Sequence, residues 1–142
     1  MSNGFVKNLI DEYEHSFLQY LNSYNIIVPT LARRITDMSE EVKLELDRYI
    51  QYISSLSGVL KIYLFGSYAY GEPRKTSDID LMIIVENNLD PFMTAYGIRR
   101  RFANSDLDVD IVVNRVSAFE EASAYSLFQK TIKENGVLLY VA

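Results

Sequence analysis

The chain has 142 residues, 49% of them hydrophobic and 23% charged, and carries a net charge of −5. That is ordinary for one globular domain long enough to bury a core, and the acidic balance argues against a protein that coats nucleic acid. There is no cysteine, which excludes disulfides and thiolate metal sites; no apolar run spans a bilayer, the polar start MSNGFVKNLIDEYEHS has no signal-peptide core, and a cytoplasmic location is expected.

From Phe5 to Leu21 the apolar residues recur at helical spacing, and Asn22 to Asn25 followed by Pro29-Thr30 ends that helix. A second helix is expected from Ser39, an N-cap followed by Glu40 and Glu41, through Val42, Leu46, Tyr49, Ile50 and Ile53. Residues 1–57 therefore read as a helical extension. Beyond Ser57 the pattern changes. Gly58 to Phe65 reads as a buried strand, Asp78 to Val85 as a second and Asp106 to Val113 as a third. Pro91 to Phe102 is helical, as is Ser117 to Glu134, and Val137 to Val141 forms a closing apolar run. Strands alternating with helices indicate an α/β (α+β) layer, a small mixed sheet with helices packed on it, over residues 58–142. The whole chain, 1–142, is expected to be a single domain.

The stretch LFGSYAYGEPRKTSDIDLMIIV, residues 64–85, carries the chemistry. Gly66 and Gly71 have P-loop spacing, but Glu72-Pro73 stands where that loop needs Lys-Ser/Thr, and a glutamate there repels phosphate. Asp78 and Asp80, two apart in a strand, project to one face, while Ile79 and Leu81 face the core. The third strand repeats the device, with Asp106, Asp108 and Asp110 on one face and Leu107, Val109 and Ile111 on the other. An EF-hand fails, since Ile111 and Ser117 occupy the positions that need glycine and glutamate. Carboxylates crowded on adjacent strands repel one another unless a divalent cation lies between them, and hard oxygen donors favour Mg²⁺ or Mn²⁺. With two ions about 3.5–4 Å apart, one activates an attacking hydroxyl and the other stabilises the leaving phosphate. Gly66 permits close backbone approach, and Ser67 with the following amides is suited to a triphosphate tail.

Gly66-Ser67, ten residues, then Asp78-Ile79-Asp80 resembles the G-S-x10-D-x-D signature of the DNA polymerase beta nucleotidyltransferase superfamily. More closely, GSYAYGEPRKTSDIDLMIIV is similar to the minimal nucleotidyltransferases, whose loop typically reads G-S-x-A-x-G with S-D-I-D-L after it. The resemblance covers residues 58–142 and implies a nucleotidyltransferase fold. It makes Val109-Asp110-Ile111-Val112 the strand of the third carboxylate. It also implies two Mg²⁺ ions held by Asp78, Asp80 and Asp110, with Asp110 helping to deprotonate the acceptor. The implied reaction transfers a nucleoside monophosphate, AMP from ATP, to a hydroxyl. The implied acceptor is a tyrosine on a cognate HEPN-domain toxin, silenced by this chain as antitoxin. The loop departs from the family at Tyr70, where arginine is common; Arg74 and Lys75 lie close by in sequence.

Two rivals stand beside this reading. One is a small-molecule acceptor of the aminoglycoside type, although little chain remains for a substrate-binding domain. The other is a binding module that neutralises a partner by contact, without turnover. Arg99-Arg100-Arg101 reads as a solvated helix face rather than a nucleic-acid site, and His15 as the exposed side of a helix. The oligomeric state is left open.

Overall fold

The computed structural model describes residues 38–70 and 78–142. The helix expected at 5–21, the break after it, His15, Arg74 and Lys75 lie outside the described residues. The second expected helix is present as α1, Glu40–Ser55. Ser39 caps it, its hydroxyl accepting the Val42 N–H at 3.2 Å, and Leu46, Tyr49, Ile50 and Ile53 bury one face.

The sheet has four strands in the order β3-β2-β1-β4. They are β1 (Val59–Phe65), β2 (Ile79–Val85), β3 (Val109–Arg115) and β4 (Val137–Val141). β1 runs antiparallel to β2 and β4, and β2 runs parallel to β3, so the sheet is mixed, as expected. The parallel pair needs a crossover, which α3 (Pro91–Arg101) supplies. A short turn of helix, α2 (Ser67–Tyr70), follows β1 directly.

Strand alternation divides the core into two layers. On one face Ile62, Leu64, Ile79, Leu81, Ile83, Ile111 and Val113 pack with α1 and α3. Phe102, just past α3, stacks on Tyr49 of α1 at 3.8 Å between ring centroids and meets Tyr52 edge-on. On the other face Tyr63, Phe65, Met82 and Ile84 pack with Phe119 and Ile132, which come from α4 (Val116–Ala122) and α5 (Leu127–Asn135). Among the described residues no helix is long and apolar enough to cross a membrane.

Two expectations are corrected. The third strand starts at Val109, not Asp106. The Ser105 hydroxyl accepts the Leu107 N–H at 3.2 Å, bending the chain locally, and the ladder to β2 opens with the pair Ile79 and Val109. Asp106 and Asp108 therefore do not share a strand face with Asp110. The helix expected over Ser117 to Glu134 is two helices. The chain turns after Ala122, the Ser123 hydroxyl donates to the Glu120 carbonyl, and Ser126 caps α5.

The arginine run is exposed, as expected, and two of its members also hold neighbouring groups. Arg99 donates to the Ile111 carbonyl at 2.8 Å, strapping α3 to β3, and the Arg101 guanidinium lies 5.3 Å from the Tyr52 ring centroid. Lys133 pairs with Glu120, tying α5 to α4.

Candidate active site

Register brings the expected carboxylates together. Asp80, second in β2, pairs with Phe65 of β1 on one side and with Asp110 of β3 on the other. Partners across a ladder point to the same face, so Asp110, Asp80 and Phe65 form one row across three strands. The row lies on the face covered by α4 and α5, at the end of the sheet where β1 gives way to Gly66. Asp78 immediately precedes β2 and is exposed, as is Asp110; Asp80 is half-buried.

The Asp80 carboxyl is pushed up to about 6. Burial is the largest cause; the Asp110 carboxylate follows, both as a like charge and as a hydrogen-bond partner, and then the charge of Asp78. Asp108 belongs elsewhere. Its carbonyl accepts the Ile79 N–H at 3.0 Å, and its charge is felt at Tyr49, whose hydroxyl is raised first by burial.

Gly66 meets this pair from the side. Its φ is +72°, the left-handed region that side chains avoid, and a Cβ there would stand 2.9 Å from Asp80 Cγ and nearer still to Oδ2. Only glycine lets the backbone run this close to the carboxylate. The Gly66 carbonyl accepts the N–H groups of Ala69 and Tyr70 at 3.0 and 3.1 Å, closing the turn that presents Ser67 at the head of α2.

Asp80 and Asp110 are hard oxygen donors set side by side, residues that could hold a divalent cation. Two register-paired carboxylates, one half-buried, keep their charges apart only by protonation or by a cation. Among the described residues no group of three or more His, Cys, Asp or Glu is arranged to hold a metal ion. Asp78 bears on Asp80 as a charge, and the carboxylates that the register sets side by side are Asp80 and Asp110.

A family model described as nucleotidyltransferase domain matches residues 46–139, most of the chain, including Gly66, Ser67, Asp78, Asp80 and Asp110. The chain belongs to that family. The match takes in β1, β2, β3, α2–α5 and the first three residues of β4, and so includes the paired carboxylates. No curated protein matches the sequence significantly. Similar solved structures include a protein from Sulfolobus solfataricus provisionally assigned as a nucleotidyltransferase, 22% identical, covering 66% of this chain and 75% of that one, with a TM-score of 0.47. A toxin–antitoxin structure with AMP-PNP is 21% identical, covering 73% of this chain and 75% of that one, with a TM-score of 0.45. A variant of the toxin–antitoxin MntA-HpeT is 19% identical over the same shares, with a TM-score of 0.44.

The sequence reading missed the aromatic end of the row. Phe128 of α5 meets Phe65 edge-on at 5.6 Å between ring centroids, yet remains 49% exposed. Strand periodicity could have put Phe65 on the Asp80 face, but nothing local in the sequence links position 128 to position 65.

Proposed function

We propose that this nucleotidyltransferase transfers AMP from ATP to a hydroxyl of a protein, a tyrosine of a HEPN-type toxin, and so acts as that toxin's antitoxin in the cytoplasm. The observation that carries the transferase chemistry is the row itself: Asp80 beside Asp110, with the Gly66 backbone pressed against Asp80. The protein acceptor and the toxin rest on the minimal-nucleotidyltransferase pattern of residues 66–85. Residues 58–142 are the catalytic core of a single domain. The burial of Leu46, Ile50 and Ile53 against the sheet supports counting α1 of the 1–57 extension in the same domain.

In this reading the Ser67 hydroxyl and the backbone amides of Ser67 and Tyr68, ahead of the two N–H groups that bond the Gly66 carbonyl, hold the phosphates. Asp78, Asp80 and Asp110 hold Mg²⁺ or Mn²⁺. The chemistry the ions supply when bound is neutralisation of charge on the carboxylates and on the polyphosphate. The acceptor oxygen forms a bond to the α-phosphorus, the bond from that phosphorus to the bridging oxygen of the β-phosphate breaks, and pyrophosphate leaves. Asp110, the most exposed carboxylate of the pair, takes the hydroxyl proton. Among the described residues β3 is an edge strand and its Asp110 is exposed, which suits an acceptor carried on another protein.

The test is intact mass. Incubation with ATP, magnesium and a HEPN-type protein encoded beside this chain should add adenylyl groups to that partner. Asp78→Asn with Asp80→Asn should abolish the addition. Neutralisation of the partner by the double variant, with no mass change in either case, would establish contact without turnover instead.

A further inference from the structure

We propose that Phe128 is the stacking platform for the donor's nucleobase; the assignment rests on the nucleotidyltransferase reading above. The row across the sheet is acidic at one end and aromatic at the other. Asp110 and Asp80 occupy β3 and β2, Phe65 follows on β1, and Phe128 closes the row above Phe65. A triphosphate held at Gly66, Ser67 and Asp80 must send its sugar and base to one side of β2. The acceptor hydroxyl needs a proton acceptor and belongs on the Asp110 side. The base is uncharged and flat, and the aromatic side suits it.

Phe128 is built as a platform rather than as core. The Phe65 ring, itself buried, fixes one edge of it at 86° between ring planes, and about half of its surface stays open. Its neighbour Gln129 accepts the Asn114 amide at 3.2 Å, tying the first turn of α5 to β3, while the Ser126 cap fixes where that turn begins. The ring is therefore anchored on Phe65, the residue that pairs with Asp80 across the ladder. Stacking on an aromatic ring tolerates any base, because every base has a π-face. The platform thus adds affinity for nucleosides without selecting adenine.

The experiment compares binding of the magnesium salts of ATP, CTP and inorganic tripolyphosphate to the full chain. The wild type should bind both nucleotides more tightly than tripolyphosphate. Phe128→Ala should weaken ATP and CTP alike, by roughly five- to a hundredfold, and leave tripolyphosphate binding unchanged. Phe128→Leu keeps Phe65 covered but removes the flat ring, so it should show the same loss, while Phe128→Trp should retain nucleotide affinity. An unchanged ratio of nucleotide to tripolyphosphate affinity in both Phe128→Ala and Phe128→Leu overturns the assignment and leaves the transferase reading standing. A wild type that binds neither nucleotides nor tripolyphosphate overturns both.

Discussion

At the scale of single residues, Asp80 and Gly66 share one constraint. With its carboxyl raised from the ordinary 3.8 to about 6, Asp80 favours folding when protonated and opposes it when ionised. Its contribution is fully present below about pH 4 and is lost as pH rises through about 6. The side chain is part-exposed, so solvent screening reduces the effect to about 1 kcal/mol. In metal-free protein, Asp80→Asn should therefore gain about that much stability over wild type between pH 4 and pH 7, measured by urea unfolding at each pH. Added magnesium should reverse the order by stabilising wild type alone. A difference between the two proteins that does not change with pH would show that neither burial nor a like charge raises the Asp80 carboxyl. Gly66→Ala meets both the +72° backbone and the Asp80 carboxylate. It should cost about 1–3 kcal/mol in unfolding measurements and depress nucleotide binding as Asp80 is displaced. Wild-type binding in that variant would separate the turn from the site.

At the scale of elements, the starts of α1 and α3 were legible, and a side chain caps each of them. Ser39 caps α1 as its position before Glu40 suggested, and the helix expected from Pro91 is capped by Asp90, whose carboxylate accepts the N–H groups of Phe92 and Met93 at 2.9 and 3.3 Å. Asp90→Ala should cost about 1 kcal/mol, read from the shift of the urea midpoint, with nucleotide affinity unchanged because α3 lies on the opposite face from the carboxylates. A loss of affinity would mean that α3 sets the β3 register through the Arg99 strap. Boundaries decided by side chains turning back on the backbone were not legible. Ser105 bends the chain before β3, and Ser123 to Ser126 divide one apolar stretch into α4 and α5; a serine in an alternating or helical pattern carries no mark of which way its hydroxyl will turn. The Asp80–Asp110 pair was half legible. Alternation put each carboxylate on a face, but only the parallel register between β2 and β3 sets them side by side, and that register is a tertiary fact.

At the scale of the whole molecule, the two faces of the sheet have different tasks. The face under α1 and α3 is the larger core, drawing on both helices and on alternate residues of all four strands. The face under α4 and α5 is thin, built from Tyr63, Phe65, Met82, Ile84, Phe119 and Ile132, and the carboxylate row lies at its end. Phe119 is its fully buried centre, 5.8 Å from the Tyr63 ring. Phe119→Ala should cost about 3–5 kcal/mol, a large share of the roughly 5–15 kcal/mol that stabilises a domain. It should also loosen α4 and α5 over the row, so the fraction that remains folded should bind triphosphate more weakly. Ile50→Ala removes a fully buried side chain from the opposite face and should cost about 2–5 kcal/mol. Because α1 packs on the opposite face of the sheet from the Asp80 row, the folded fraction of that variant should keep wild-type affinity. Chemical denaturation gives the two stabilities, and titration below each unfolding transition gives the two affinities. Equal loss of affinity in both variants would show that the site depends on overall stability rather than on the thin layer that covers it.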